Sequence, residues 1–283
     1  MASFTNFATL SYNGGTTNSN IVTGEILEAL TAVKTAVSAN YSAGDRITYA
    51  LSLVNTGTAA ITDYTVTDNL GGYTVGANTV YPLAYNAGTV RYYINGVLQA
   101  APTVTAGPPL TVTGLTVPAG GSAVLIYETT ATPVAPLATG SSITNTATIT
   151  GAGLTNPITA QATVETANSA DLTISKALSP TTVTENGQIT YTFVISNTGN
   201  TEATATGNVV VTDTFAPILR NIAVTYNGTA WTEGTNYTYN AATGVFTTLA
   251  GQITVPAASF TQNTDGTFTV TPGTATLVIT GTV

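Results

Sequence analysis

The chain has 283 residues, enough for about two domains, and it contains no Cys and no His. Only 6% of the residues are charged, with five Lys and Arg against thirteen Asp and Glu, which gives a net charge of −8. This composition excludes a disulfide framework, thiolate chemistry and a His-dependent catalytic triad. Five cations are too few for the basic surface that binds nucleic acid. With 43% apolar residues, the chain is too hydrophobic for disorder.

The N-terminal stretch lacks the features of a secretory signal. No cation precedes Lys34, so the basic region with which such a signal begins is missing. We therefore expect that a signal was removed before residue 1 or that the protein leaves the cell by another route. No apolar run approaches the ~18 residues of a membrane-spanning helix, so we expect no membrane insertion.

Short runs rich in Val, Ile, Thr, Tyr and Phe follow one another along the chain, as is typical of β-strands. The spacing of these runs predicts an all-β fold built from β-sandwiches. Residues 25–37 also carry apolar side chains at roughly helical spacing, but the repeat described next favours a linker followed by a strand. Dipeptides that favour tight hairpin turns separate several of the runs: Asn13-Gly14, Asn95-Gly96, Asn186-Gly187, Asn227-Gly228 and Asp265-Gly266.

Two stretches of the chain repeat one another without a gap. Lys34 to Asn55 (KTAVSANYSAGDRITYALSLVN) aligns with Lys176 to Asn197 (KALSPTTVTENGQITYTFVISN), and Thr-Gly follows each. A Val-Thr-Asp motif comes next in both copies and ends at Asp68 and Asp213. Such self-similarity indicates repeated structural units.

A shorter duplication links the N-terminus to the end of the first repeat. Ser142 to Ile149 (SITNTATI) closes that repeat, and a final strand is predicted within 158–164. Ser3 to Leu10 (SFTNFATL) matches the closing stretch at five of eight positions. The N-terminus therefore resembles the closing strands of a domain whose beginning is absent. The second repeat stops just after the strand ATLVI, so we expect it to lack closing strands of its own.

These duplications divide the chain into three segments. Residues 1–28 are the closing strands of a split domain, residues 29–166 are a complete immunoglobulin-like sandwich, and residues 167–283 are a sandwich without its closing strands. The incomplete sandwich exposes a groove and unpaired strand edges that promote association. Alternation places four donor-strand side chains on one face: Phe4, Asn6, Ala8 and Leu10. The acceptor groove is predicted beside Leu172, Ile174, Leu277 and Ile279.

Three arrangements could fill this groove. The N-terminal segment of the same chain could fold back, although the linker near residues 25–30 looks too short to let it pass the first domain. The sequence could be a shortened one that has lost its closing strands. The N-terminal segment of the next subunit could insert, which is donor-strand addition and propagates head to tail. We favour the third arrangement.

The repeat pattern resembles the domain-of-unknown-function-11 repeat family. Four stretches carry the resemblance, which extends over nearly the whole chain: residues 171–176, 191–199, 211–213 and 145–150. The resemblance implies immunoglobulin-like sandwiches in tandem on bacterial and archaeal surface proteins. In that family intact repeats follow end to end, whereas this sequence splits one repeat between its termini.

Alternation also aims one Lys, one Asp and one Asn at the interior of each sandwich. In the complete domain these are Lys34, Asp68 and Asn145. In the split domain they are Lys176 and Asp213, with Asn6 supplied by the next subunit.

These three residue types are the ingredients of a spontaneous Lys–Asn isopeptide bond. A neutral, desolvated amine attacks the amide carbon while a carboxylic acid shuttles protons, and burial favours the neutral form of both groups. The alternative interpretation is structural. In that case the Lys head groups emerge at the sandwich edge and pair with Asp, while Asn caps backbone groups.

Taken together, the sequence predicts a structural subunit of an extracellular filament on a bacterial cell or spore surface, with copies of itself as partners. We expect no enzymatic activity, because only scattered carboxylates could do catalysis, and we expect no cofactor. We also expect no metal, because Asp63 and Asp68 lack the ligand spacing of a calcium loop. The alternative is a monomeric adhesin or carbohydrate-binding module. It would use an aromatic platform, but aromatics at strand spacing are more often core or cross-strand pairs: Tyr92, Tyr93, Trp231, Tyr237 and Tyr239.

Overall fold

A computed structural model of the protein describes residues 2–26, 29–151 and 154–283. The all-β prediction is confirmed: the described residues form strands and turns, with one short 3₁₀ turn at Ala205–Gly207. The chain forms two compact units. Unit 1 contains Met1–Ala135 and Ser142–Glu165, and unit 2 contains Pro136–Ser141 and Thr166–Val283.

The N-terminal segment forms a two-stranded ribbon, called the N-terminal ribbon below. The turn lies at Asn13-Gly14, as the sequence predicts, because Gly14 adopts the positive φ of 130° that this turn requires. Every described side chain from Phe4 to Thr23 is exposed. The strands are β1 (Ala2–Asn6), β2 (Thr9–Tyr12), β3 (Gly15–Asn18) and β4 (Val22–Ile26), with β1 paired to β4 and β2 paired to β3.

A one-residue bulge interrupts the ribbon. Asn6 lies opposite Val22, whereas Ala8 and Ser19 pair through a backbone hydrogen bond of 2.8 Å, so two residues face the single Phe7. The bulge lies on the second strand, and the first strand therefore keeps its alternation. The interpretation of residues 25–37 as linker and strand agrees with the structure where it is described, since β4 ends at Ile26 and a strand begins at Leu30. Residues 27 and 28 lie outside the described part.

Unit 1 contains a sandwich of two six-stranded sheets. Its strands are β5 (Leu30–Ala36), β6 (Asn40–Tyr41), β7 (Arg46–Asn55), β8 (Ile61–Asp68), β9 (Tyr73–Val75), β10 (Asn78–Val80), β11 (Leu83–Tyr85), β12 (Arg91–Ile94), β13 (Val97–Leu98), β14 (Thr103–Thr105), β15 (Leu110–Val117), β16 (Ser122–Ala131), β17 (Ser142–Thr150) and β18 (Ile158–Thr166). One sheet has the order β13-β12-β16-β7-β5, with β11 also paired to β16, and the other has the order β14-β15-β8-β17-β18-β6.

The strand order of unit 1 is that of an immunoglobulin fold. Strands β5, β7, β16 and β12 occupy the A, B, E and D positions of one sheet, and β8, β17 and β18 occupy the C, F and G positions of the other. The closing hairpin β17–β18 therefore supplies F and G. Its alternation is as predicted, because the inward face of β17 is fully buried: Ile143, Asn145, Ala147 and Ile149.

Unit 2 repeats the first sheet of unit 1 but contains a smaller second sheet. Its first sheet has the order β19-β20-β28-β22-β23, which matches A, B, E and D, and its second sheet is β21-β25-β24. Among the described residues, no strand occupies the F or G position. The strands are β19 (Leu172–Ser179), β20 (Gln188–Asn197), β21 (Thr212–Thr214), β22 (Arg220–Tyr226), β23 (Thr229–Trp231), β24 (Tyr237–Asn240), β25 (Val245–Thr248), β26 (Ser259–Gln262), β27 (Phe268–Thr271) and β28 (Gly273–Thr282).

The repeated Asn-Thr-Gly motif has a structural role at the end of strand B in both units. The Asn55 side chain donates to the carbonyls of Ala59 and Pro118 at 2.8 and 3.0 Å and accepts from Gly57 N at 2.9 Å. In unit 2, Asn197 is fully buried and makes the same kind of contacts. Each Asn satisfies backbone groups that the sheets leave unpaired, which is the requirement for burying them.

The Gly of this motif is required by a close approach of two backbone segments. A Cβ at Gly199 would lie 2.2 Å from the carbonyl oxygen of Ser169. Any larger residue would push the start of unit 2 away from strand β20.

We expect Asn197→Ala to lower the free energy of unfolding of unit 2 by about 1–3 kcal/mol, because it leaves buried carbonyl groups without a donor. Trp231 is the single Trp and stacks on Tyr226 at 4.8 Å, so its fluorescence during urea titration follows unit 2. The exposed strand variant Thr238→Ala is the matched control, and its change should stay within about 0.5 kcal/mol. Equal losses in the two variants would show that the Asn contacts add nothing specific.

Candidate functional site

The structure brings the three inward-pointing residues of unit 1 into one interior cluster. Lys34 lies on β5 of the first sheet, while Asp68 and Asn145 lie on β8 and β17 of the second sheet. The three residues are almost completely buried, with relative exposures of 4%, 1% and 0% for the whole residues. The alternation along the sequence predicted that these residues point inward. They meet because the two sheets of the sandwich face one another across the core.

Lys34 and Asp68 form a buried ion pair across the sandwich. The Lys34 Nζ lies 2.5 Å from Asp68 Oδ2. The other carboxylate oxygen accepts from the backbone N–H of Leu70 at 2.9 Å, and the Tyr127 hydroxyl also donates to Oδ2. A buried charge is stable only when it is paired in this way, so the pair holds β5 against the C-terminal end of β8.

Two tyrosines enclose the ion pair, and the sequence analysis did not single them out. The rings of Tyr49 and Tyr127 stack with centroids 5.8 Å apart, and Lys34 Nζ lies 4.8 and 5.8 Å from those centroids. Both rings offer their faces to the ammonium group, which is a favourable cation–π arrangement. The signal that could have revealed them is alternation, since each shares the inward face of its strand with other buried apolar residues.

The interior position changes the proton affinities of this cluster. Burial lowers the pKa of Lys34 from 10.5 to about 8, although the Asp68 carboxylate acts in the opposite direction. Burial also raises the pKa of Tyr127 well above its ordinary value, and the Asp68 charge raises it further. At a given pH, a larger fraction of Lys34 therefore carries a neutral amine than is the case for a solvent-exposed Lys.

Asn145 is buried without a hydrogen-bond partner. Neither its Nδ2 nor its Oδ1 makes a hydrogen bond to any described residue, and the same holds for the Tyr49 hydroxyl. Asn145 lies beside both tyrosines, and its amide partly offsets the rise in their pKa that burial causes, yet the geometry of a hydrogen bond is not met. Lys34 pairs with Asp68, as the structural interpretation expects, but the pair lies in the interior rather than at the sandwich edge, and Asn145 caps no backbone group of a described residue.

Unit 2 contains the corresponding Lys and Asp in an open setting. Lys176 Nζ lies 2.5 Å from Asp213 Oδ2, but their side chains are 40% and 18% exposed, against 0% and 1% in unit 1. The Lys176 ammonium lies 4.6 Å from the Tyr191 ring centroid, and Lys34 lies at a similar distance, 4.8 Å, from the Tyr49 centroid. Ile279 takes the place of Tyr127, so Asp213 lacks that hydroxyl donor. Unit 2 thus has the ion pair without the strand that would cover it.

The uncovered edge belongs to β21. In unit 1 the equivalent strand β8 pairs with β15 on one side and with β17 on the other, where Ala147 lies opposite Asp68. In unit 2, β21 pairs with β25, and no described strand pairs with its other edge. The backbone groups along that edge form a template for one more strand.

Over Ser3–Asn6 the N-terminal ribbon has the same register as the closing hairpin of unit 1, and the bulge opposite Phe7 shifts the later pairs by one residue. Ribbon pairs Ser3↔Glu25, Thr5↔Thr23 and Asn6↔Val22 correspond to hairpin pairs Ser142↔Glu165, Thr144↔Thr163 and Asn145↔Ala162. The second ribbon strand matches as well, since Val-Thr-Gly-Glu at 22–25 corresponds to Ala-Thr-Val-Glu at 162–165. The sequence alone indicates the match of the first strand, whereas the match of the second strand is recognised only once the strand pairing is known.

The predicted donor and acceptor residues lie in different environments. On the ribbon, Phe4 and Leu10 are 53% and 64% exposed, and Asn6 and Ala8 are exposed too. Among the acceptor residues, Ile174 is 55% exposed and Leu172 is partly buried.

Leu277 and Ile279 require a correction, because they do not line an open groove. Both lie on β28, which pairs with β20 and β22 in the middle of its sheet, and both are fully buried in the core of unit 2. The open region instead follows the free edge of β21 and the exposed inward face of β19, which carries Ile174 and Lys176.

Other candidate sites from the sequence do not assemble. Within the described residues, no group of three or more acidic side chains comes together to hold a metal ion. Of the aromatic residues considered for a sugar platform, Tyr92 and Tyr237 are buried and Trp231 stacks on Tyr226, so these side chains serve the core. In the part of the chain that the structure describes, no helix has the length and apolar character to cross a membrane.

Comparison with known proteins returns distant structural matches. No protein-family model and no curated protein matches the chain. The chain is similar to BcpA, the major pilin subunit of Bacillus cereus (15% identity, TM-score 0.36, covering 96% of this chain and 73% of that one). It is also similar to the pilus backbone RrgB of Streptococcus pneumoniae (14%, TM-score 0.35, covering 86% and 55%) and to a collagen-binding domain of a Staphylococcus aureus adhesin (11%, TM-score 0.31, covering 49% and 99%). Matches this weak do not assign a function.

We expect the stability of unit 1 to fall as the pH rises above about 10, because its buried tyrosines resist ionisation. Burial raises the pKa of Tyr41 from 10.0 to about 12 and raises that of Tyr64 further. Between the two pKa values the unfolded state loses protons that the folded state keeps, so the free energy of unfolding decreases. Urea titrations at about pH 9 and about pH 11 measure the loss.

The matched variant is Tyr64→Phe. The Tyr64 hydroxyl makes no hydrogen bond to a described residue, so its removal should leave the stability near neutral pH almost unchanged and reduce the alkaline loss. An alkaline loss that is the same in both proteins would contradict the assignment of this effect to the buried tyrosines.

Proposed function

We propose that this protein is a structural subunit of an extracellular fibre at a bacterial cell or spore surface. Its subunits polymerise head to tail, because the N-terminal ribbon of one subunit supplies the missing F and G strands of unit 2 in the next. The observation that carries the proposal is the complementarity of the two parts. The second sheet of unit 2 ends at β21, and over Ser3–Asn6 the ribbon has the register of the hairpin that completes this sheet in unit 1.

The pairing in unit 1 specifies how the ribbon would dock. There, Ala147, Thr148 and Ile149 lie opposite Asp68, Thr67 and Val66. The duplication transfers this register to the split domain, where the ribbon strand runs antiparallel to β21. Three backbone pairs follow from it: Ala8 with Asp213, Thr9 with Thr212, and Leu10 with Val211.

Docking would bury apolar side chains that are now exposed. Phe4 and Leu10 are more than half exposed on the ribbon, whereas Ile143 and Ile149 at the equivalent positions of unit 1 are 2% and 0% exposed. Burying a large apolar side chain contributes roughly 1.5–3 kcal/mol. The new strand also pairs the free backbone groups of β21, so apolar burial and hydrogen bonding act together.

The interface joins two different surfaces, the ribbon of one subunit and the open edge of the next. Such a heterologous contact leaves a free ribbon at one end and a free edge at the other, so it adds subunits without limit unless it closes into a ring. A role in structure rather than catalysis also fits the composition, with its 6% charged residues and absence of His and Cys.

Few charges would hold such a fibre together. Among the described residues the only solvent-exposed ion pair away from the interior clusters joins Arg46 to Glu128 at 3.7 Å. Surface pairs of this kind contribute little and are weakened by salt. We therefore propose a fibre whose stability comes from strand pairing and apolar burial.

We expect single aspartates on the inward face of the ribbon to prevent assembly. Phe4→Asp and Leu10→Asp would place a charge in the core of unit 2 and should abolish fibres in negative-stain electron microscopy and in sedimentation. Thr5→Asp and Thr9→Asp add the same charge to the opposite face and are the matched controls, which should still assemble. Equal effects on both faces would argue against insertion of the ribbon.

Removal of residues 1–26 should leave a protein that cannot donate a ribbon but still accepts one. This variant alone should form no fibres, and added to the intact protein it should shorten them by capping one end. A synthetic ribbon peptide should cap the other end. Unchanged polymers from the shortened protein would refute the proposal. An intact protein that stays monomeric, with its ribbon protected from proteolysis, would show instead that the ribbon folds back onto its own unit 2.

A further inference from the structure

We propose that the Lys34 side chain forms a covalent amide bond with Asn145 inside unit 1. We propose further that Lys176 forms the same bond with Asn6 of the partner subunit, a second step that rests on the proposed function. The two bonds would fasten each complete sandwich internally and each subunit to the next.

The first observation is an amide with no other role in the fold. Asn145 has no exposed surface, and neither of its amide atoms makes a hydrogen bond to a described residue. Burying an unsatisfied amide is costly, and most buried polar groups in proteins therefore have a partner.

The second observation is a nucleophile and a proton shuttle in the same water-free space. Lys34 and Asp68 are in contact at 2.5 Å with no exposed side-chain surface on Lys34, and the Tyr49 and Tyr127 rings cover the ammonium group. Asn145 lies beside the same two tyrosines. Amine, carboxyl and amide thus meet inside one cluster, which supplies the proximity that a slow amide exchange requires.

The proton balance is satisfied within the cluster. In the ion pair, Lys34 Nζ carries one proton more than a neutral amine does. Transfer of this proton from Nζ to Oδ2 of Asp68 gives a neutral amine and a neutral carboxylic acid. Burial makes it easier for the amine to give up this proton, because it lowers the pKa of Lys34. No proton has to come from solvent.

The bond changes are those of an amide exchange. The lone pair of Lys34 Nζ attacks Cγ of Asn145 while the Asp68 acid donates its proton to Oδ1. The carboxylate then takes a proton from Nζ and returns it to Nδ2. As the Cγ–Nδ2 bond breaks, the Cγ=Oδ1 double bond re-forms, the Oδ1 proton returns to the Asp68 carboxylate, and ammonia leaves. One C–N bond is made and one is broken, so the step needs no oxidant, reductant or cofactor.

The open cluster of unit 2 makes the second bond dependent on assembly. Its Lys176 and Asp213 are already 2.5 Å apart but are 40% and 18% exposed, so water stabilises their charges. The docked ribbon would place Asn6 of the partner subunit where Asn145 lies in unit 1 and would cover the pair. Reaction before docking is prevented because the amide is absent and the pair is solvated.

The intact mass of the purified, monomeric full-length chain tests the bond in unit 1 without reference to fibres. The wild-type chain should be lighter than its sequence by one ammonia molecule, and fragment spectra should join the peptide of Lys34 to that of Asn145. Lys34→Arg and Asn145→Ala should each restore the sequence mass. The matched control Lys176→Arg should keep the loss of one ammonia in the monomer. A wild-type monomer at its full sequence mass would overturn the bond in unit 1, whatever the variants do.

The bond between subunits is tested on assembled fibres heated in sodium dodecyl sulfate. Wild-type fibres should give a ladder of covalent multimers. Lys176→Arg and Asn6→Ala should give fibres in the electron microscope that separate completely into monomers on the gel. Wild-type fibres that separate completely would overturn this inference while leaving donor-strand assembly intact. Absence of fibres, with one ammonia lost from the monomer, would overturn the proposed function and the bond between subunits but support the bond in unit 1.

Discussion

The free edge of β21 is the constraint on which the architecture of this protein depends. Backbone N–H and C=O groups need partners, and a sheet that stops at its C strand leaves a row of them open beside an uncovered core. Unit 1 meets the requirement within the chain through β17 and β18. Unit 2 does not, and the chain carries the same hairpin at its opposite end, where its apolar face has nothing to cover it. In our proposal, the split of one sandwich between two termini turns this folding requirement into a means of assembly.

The two Lys–Asp pairs show how strongly the closing strands control the interior. Both pairs have a separation of 2.5 Å, so the contact itself is set by strands A and C. Only unit 1 buries its pair, because only there does strand F lie over it and bring Asn145 into the cluster. Desolvation is what lowers the pKa of Lys34, and the same strand therefore supplies both the covering and the amide. In our proposals, insertion of the ribbon does the same for Lys176.

Much of the fold could be predicted because its signals are local. Alternation along Ser142–Thr150 showed which side chains point inward, and Asn-Gly dipeptides marked turns such as that of the ribbon. Buried partners from other strands were not predictable in this way. Tyr127 comes to lie against Asp68 across 59 residues of sequence, and nothing in either stretch indicates that contact. The prediction of a groove at Leu277 and Ile279 was wrong for a related reason. The strand that carries them comes late in the sequence but lies in the middle of its sheet.

By itself, the sequence determined the all-β class, the repeated unit and the match between the N-terminus and the closing strand of unit 1, because each of these depends on residue patterns along the chain. Only the tertiary structure decided which edge is open, which of the two Lys–Asp pairs is buried, and that Asn145 makes no hydrogen bond to a residue the structure describes. These properties depend on which strands become neighbours. Strand neighbours are set by the packing of two whole sheets, and a linear pattern does not contain that information.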